Sequence, residues 1–140
     1  MTNCRVAFIV KEQPSLMLAP QETVQVACQR MWERRVGAVL VRNEKGSLVG
    51  IFTGRDAVRT LAEGRNPAEA TLAETMTAHP DAITAECTAI DALRMMSDGG
   101  YRHLPVVDRG VVIGIVSRED FKGLELDRLE EETILWERIA

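Results

Sequence analysis

Aromatic residues make up only 4% of the 140-residue chain, which leaves too little flat surface for the stacking platforms that hold single-stranded nucleic acid. Cysteine is scarce as well. Cys4, Cys28 and Cys87 are odd in number, widely spaced and not grouped with the two histidines, His79 and His103. That spacing excludes a disulfide framework and offers no zinc site. Basic charge is in deficit, with 17 Lys and Arg against 21 Asp and Glu for a formal charge of -4, so no nucleic acid is expected as a partner; Arg34-Arg35 alone is not a binding stripe. Long apolar runs are missing too. The stretch from Val6 to Val10 stops at Lys11-Glu12-Gln13-Pro14, too short for a signal peptide or a membrane helix. A cytoplasmic, reducing location without membrane attachment is the expectation.

The chain does carry 46% hydrophobic residues against 27% charged ones, enough to bury a core unaided. Its organisation comes from an internal repeat. Val49-Gly50-Ile51-Phe52-Thr53-Gly54-Arg55-Asp56 returns as Ile113-Gly114-Ile115-Val116-Ser117-Arg118-Glu119-Asp120, with Gly50 and Gly114 64 positions apart. Upstream, a shift of 66 pairs Pro14 with Pro80, Val24 with Ile90 and Val41 with Val107. The sequence thus divides into a first copy over residues 1–64, a second over 65–124, and a tail over 125–140. Leu126, Leu129, Trp136 and Ile139 recur in the tail at helical intervals, which predicts an amphipathic helix.

Each copy reads as a short apolar helix, an extended stretch, a longer helix, two strands and a closing helix. The long helices are expected over Thr23 to Arg35 and Ala89 to Asp98, the latter stopped by Gly99-Gly100. The strand pairs are expected around turns at Gly46 and at Asp108-Arg109-Gly110. These strands are too apolar to leave one face in water, so the two α/β copies should cover each other across a pseudo-two-fold axis.

Three stretches carry a family resemblance: Gly50-Ile51-Phe52-Thr53-x-x-Asp56, Gly114-Ile115-Val116-Ser117-x-x-Asp120, and Arg102-His103-Leu104-Pro105-Val106-Val107-Asp108. Together they resemble a tandem pair of cystathionine-β-synthase (CBS) domains, the Bateman module, over roughly Val6 to Leu124. The resemblance implies two CBS repeats, each a small, mainly three-stranded sheet with flanking helices. It also implies a regulatory sensor that binds adenosine-containing ligands (AMP, ADP, ATP, S-adenosylmethionine, NAD) in clefts between the repeats and pairs into disc-shaped homodimers. No cofactor is then required beyond that regulatory ligand. With no partner domain in the chain, the regulated target is expected to be another polypeptide or another site on a homo-oligomer.

Thr53 and Ser117 fall where a strand gives way to a helix, with Asp56 and Asp120 three residues later. A helix start favours phosphate, and a short carboxylate accepts both ribose hydroxyls. The resemblance assigns the ribose role to Asp56 and Asp120. The same pattern is also a capping box, worth about 0.5–2 kcal/mol to the helix alone, and the motif leaves both readings open. Arg102 and Arg118 equip the second copy for an anionic group, and His103 adds a donor or lines the adenine slot. At the repeat's shift the first copy offers only Val36, Gly37 and Gly54 at those places, with Arg55, Arg34 or Arg35 as substitutes. By family geometry the adenine walls are the extended stretches, with Met17 from Leu16-Met17-Leu18 and Ile83 and Thr84 from the second copy, together with the strand start up to Pro105. One of Trp32 and Trp136 is expected at a dimer contact.

An enzyme is not expected. The chain has no phosphate-binding loop of the Gly-x-x-x-x-Gly-Lys-Ser/Thr type and no nucleophile, base and acid in a plausible order. The remaining alternative to a sensor is a dimerisation scaffold with empty clefts.

Overall fold

Four helices of the structure, a computed structural model that describes residues 4–11 and 15–121, begin at a threonine. The first helix, α1 (Val6–Lys11), leads into a two-residue strand β1 (Met17–Leu18) and then α2 (Val24–Arg34). The hairpin β2 (Ala38–Arg42) and β3 (Leu48–Thr53) follows, closed by α3 (Gly54–Ala62). The second copy runs α4 (Leu72–Thr75), β4 (Thr77–Ala78), β5 (Ile83–Thr84), α5 (Ala89–Gly99), β6 (His103–Asp108) and β7 (Val111–Ser117), ending in a 3₁₀ turn at Arg118–Phe121. The helix expected from the tail lies outside the described residues.

The hydroxyls of Thr23, Thr53, Thr71 and Thr88 each accept a backbone N–H in the first turn of α2, α3, α4 and α5, satisfying a donor the helix cannot. Both long helices stop in the left-handed region: Gly100 at φ 71° after α5, and Arg35 at φ 56° after α2. Glycine is the ordinary residue at such a stop, so Arg35 is an exception. The tight turn after β6 uses Arg109 (φ 53°) and Gly110 (φ 80°), the positive φ pair a two-residue hairpin requires.

The strands form two sheets, β1-β2-β3-β4 and β5-β6-β7. In each, the short strand pairs in parallel with the first hairpin strand and the hairpin is antiparallel. The fourth strand of the first sheet, β4, was not expected; it belongs to the connection between the copies and pairs antiparallel with β3. One face of the first sheet buries Val39, Val41 and Phe52 under α2 and α4. One face of the second buries Leu104, Val106 and Val116 under α5 and α1. The opposite faces meet at a seam where Ala38, Leu40 and Ile51 pack with Val112 and Ile115. The mutual covering anticipated from the apolar strands is therefore this seam.

The lead helices cross over. Val6 and Val10 of α1 sit in the core of the second copy, tied by Val6 N–H to Cys87 C=O (2.9 Å) and Ala89 N–H to Cys4 C=O (2.8 Å). Leu72 of α4 sits in the core of the first, tied by Leu72 N–H to Glu22 C=O (2.8 Å) and Val24 N–H to Ala70 C=O (2.9 Å). Gly50 and Gly114 make room for this exchange, since a Cβ on Gly114 would stand 2.6 Å from Val10 Cγ1 and one on Gly50 would collide with Met76.

The structure also corrects the register of the repeat. Thr23 and Thr88 cap α2 and α5, Ala38 and His103 open β2 and β6, and the matching bonds Gly54 N–H to Gly37 C=O and Arg118 N–H to Arg102 C=O close each copy. A shift of 65, not 66, therefore holds through the long helix and first strand. The second copy is one residue shorter in the hairpin turn, where the shift falls to 64. The counterparts of Arg102 and His103 are thus Gly37 and Ala38, while Gly54 remains the counterpart of Arg118.

Candidate functional site

A cleft of about 700 Å³ opens where the seam reaches the surface, within the range of small-molecule sites. Its wall on the second copy is the end of the β6–β7 hairpin and the turn after it: Arg102, His103, Ile115 and Ser117 to Asp120. The facing wall comes from the first copy, Arg35-Val36-Gly37-Ala38, the link between α2 and β2. Ser15 and Leu16 line it between them.

Backbone bonds fix this geometry. The Ser15 hydroxyl accepts the Ile115 N–H at 2.9 Å, while Leu16 C=O accepts the Leu40 N–H at 2.9 Å, so two consecutive residues grip one sheet each. Arg102 C=O accepts the Arg118 N–H at 2.9 Å, which holds the two arginines side by side. The Asp120 carboxylate accepts the Ser117 N–H at 2.7 Å and still lines the cleft, half-buried. The His103 ring lies against Gly37, where a Cβ would stand 3.2 Å from Nε2 and press on the ring. Burial pushes the His103 imidazole below its ordinary value, partly opposed by Asp120 and Glu119 and reinforced by Arg102. In the unliganded cleft His103 is therefore a neutral ring at neutral pH.

Five of the residues singled out in the sequence come together here: Asp120, Ser117, Arg118, Arg102 and His103. Others stand elsewhere. Ile83 is buried in the second copy's core, Pro105 is buried within β6, and the Thr84 hydroxyl sits 3.2 Å from Cys87 Sγ. Met17 lines a separate cavity of about 520 Å³ beside the first hairpin's turn. The wall expected from the second copy's own extended stretch is supplied instead by the first copy's Ser15 and Leu16. Crossing of the chain at the seam explains the exchange, and nothing in the local sequence of either stretch announces it. Arg35, which entered only as a substitute phosphate donor for the first copy, lines the second copy's cleft.

The first copy's motif has a different fate. Asp56 is 5% exposed and accepts from Thr53 N–H (2.9 Å), the Thr53 hydroxyl (3.2 Å) and the Thr77 hydroxyl (3.4 Å), with Arg59 at 3.3 Å. Thr53 and Asp56 complete a reciprocal capping box under β4. Arg55 is exposed at its start. Of the two readings the motif left open, the capping contacts are present at Asp56.

Among the described residues no group of three or more His, Cys, Asp or Glu could hold a metal ion, and no helix is long and apolar enough to cross a membrane.

Comparisons with known proteins agree with this architecture. A family model described as CBS domain matches residues 10–63 and again 72–126. The CBS domain-containing protein CBSCBSPB2 of Arabidopsis thaliana is 44% identical over 95 residues, 67% of this chain but 18% of that protein. The chain thus spans about a fifth of the length of this relative. A signal-transduction protein with CBS domains from Burkholderia ambifaria superposes with a TM-score of 0.76 at 30% identity, covering 83% of this chain and 89% of that one. The CBS domain pair of protein MJ0100, solved with 5'-methylthioadenosine and S-adenosyl-L-methionine, gives a TM-score of 0.79 at 25% identity over 89% of this chain and 97% of that one.

Proposed function

Because the chain belongs to the CBS-domain family and carries two such repeats, we propose that it is a non-catalytic regulatory module that binds an adenosine-containing ligand in the cleft between them. The observation that carries this reading is the convergence of Ser117, Asp120, Arg102, Arg118 and His103 on one cleft of about 700 Å³. In it Asp120 takes the ribose hydroxyls, and the two arginines take the phosphate as planar donor forks. Leu16, Val36, Ala38 and Ile115 supply the apolar walls that an adenine ring needs. The bound 5'-methylthioadenosine and S-adenosyl-L-methionine of protein MJ0100 support a ligand of this class.

Asp56 is taken as structural in this reading, with binding confined to the second copy's cleft. A homodimer is part of the proposal: Trp32 on α2 is 86% exposed, and Val58 and Leu61 on the adjoining α3 are 66% and 64% exposed, an unusual outlay of large apolar groups.

The test is the melting shift of the full chain with millimolar AMP, ADP, ATP, S-adenosylmethionine, NAD and GTP. Ligand at about 100 times its dissociation constant adds about 2.7 kcal/mol. A shift with adenine ligands that Asp120→Ala abolishes is the expected result. No shift with any of them would support the empty scaffold instead.

A further inference from the structure

Arg35 ends α2 at φ 56°, in the left-handed region where a residue with a Cβ is strained, although the matching stop of α5 uses Gly100. The strained residue also lines the cleft from the first copy, beside Val36, Gly37 and Ala38, while Arg102 and Arg118 line it from the second. Among the described residues neither Arg35 nor Arg102 has an ion pair or a side-chain hydrogen bond. Both are exposed. Three guanidinium groups therefore border a cleft that holds two carboxylates, Glu119 and Asp120, in a chain whose formal charge is -4.

We propose that Arg35 is a specificity-determining residue that reaches across the seam to the distal phosphate of a nucleoside diphosphate or longer polyphosphate, so that the cleft prefers such ligands to a monophosphate or a sulfonium. This rests on the binding reading above and narrows its ligand class. One phosphate can be met by Arg102 and Arg118, which are bonded side by side on the second copy. A second phosphate extends toward the opposite wall, where a bidentate guanidinium fits it and a sulfonium cation gains nothing. Strain held at a ligand-facing position is what a positioned binding group requires, whereas a helix stop alone would be better served by glycine.

Glycine at this position separates the two roles. Arg35→Gly relieves the backbone, so the unliganded full chain should melt at or above the wild-type temperature. Its affinity for ADP should fall about tenfold or more, as expected for a charged hydrogen bond, while that for AMP stays within about threefold. Arg35→Lys, which keeps the charge without the fork, should fall between. Titration calorimetry of the full chain with ADP, AMP and S-adenosylmethionine reads all three. An ADP-to-AMP affinity ratio that is the same in wild type and Arg35→Gly overturns the inference, as does wild-type binding of S-adenosylmethionine as tight as that of ADP. If AMP binding depends on Asp120 while that ratio does not move, only the role of Arg35 fails. If no adenine ligand binds, the reading of the cleft fails and the inference with it.

Discussion

Replacing Asp56 with alanine should unfold the protein more readily and leave the cleft working, the reverse of the same change at Asp120. The buried Asp56 carboxylate accepts three hydrogen bonds, and its removal strips α3 of half its capping box. Loss of a cap costs about 1 kcal/mol, and leaving partly buried donors unsatisfied adds about 1–2 kcal/mol. The Arg59 pair adds little, because that guanidinium is half exposed and screened by solvent. A loss of about 2–3 kcal/mol lowers the melting temperature of a chain this size by roughly 6–12 °C. The partly buried bond that Asp120 accepts from Ser117 is worth about 1 kcal/mol or less. Differential scanning calorimetry of both variants, with and without an adenine nucleotide, measures each effect. An Asp56→Ala protein that melts like wild type but no longer responds to ligand would refute the assignment of a structural role to the first motif and a binding role to the second.

Gly114→Ala should destabilise by about 1–3 kcal/mol, the usual cost of overpacking, because the new methyl meets Val10 at 2.6 Å and the Ser15 hydroxyl at 3.0 Å; a melting curve unchanged from wild type would mean that α1 is not seated on β7. His103 gives a pH signature. Its native value lies below the ordinary 6.5, so the unfolded chain binds more protons and stability falls as pH drops through that interval. His103→Gln should flatten that part of the profile in melts taken between pH 7.5 and 5, and an identical slope would remove His103 as the source.

The strand pairs, the long helices and the glycine stop of α5 were legible in the sequence because each rests on local chemistry, apolar runs and glycine where φ is positive, whereas the Arg35 stop of α2 was not. The site was legible only in part. Thr53-x-x-Asp56, Thr88-x-x-Asp91 and Ser117-x-x-Asp120 are the same pattern. The first two form complete capping boxes at α3 and α5, while Asp120 lines the cleft. What separates Asp56 from Asp120 is tertiary: β4 and its Thr77 hydroxyl lie over the one, and the link after α2 faces the other across open space. Arg35, Val36 and Gly37 could not be assigned to the second copy's site by reading along either copy, because the seam alone brings them there. The one-residue error in register had the same origin. The deletion falls in the hairpin turn, and the paired bonds of Gly37 with Gly54 and Arg102 with Arg118 locate it.

The exchange of lead helices has a consequence for how such a cleft can report its contents. Neither copy closes its core alone: Val6 and Val10 complete the second, and Leu72 completes the first. Ser15 and Leu16, which line the cleft, come four and five positions after the last residue of α1 and bond one sheet each. A ligand held between Ser117–Asp120 and Arg35–Ala38 therefore loads the same residues that stitch the copies together. Occupancy alone transmits nothing, since a ligand with equal affinity for two arrangements shifts neither. The differential has to arise where the contacts depend on the angle between the sheets. The groups that meet this condition are those facing across the seam, Arg35 and Gly37 against Arg118 and His103, rather than Asp120 and Ser117, which move together on one copy. On the reading proposed above, sensitivity to the angle between the sheets therefore belongs to the residues that face across the seam, in addition to what they contribute to affinity.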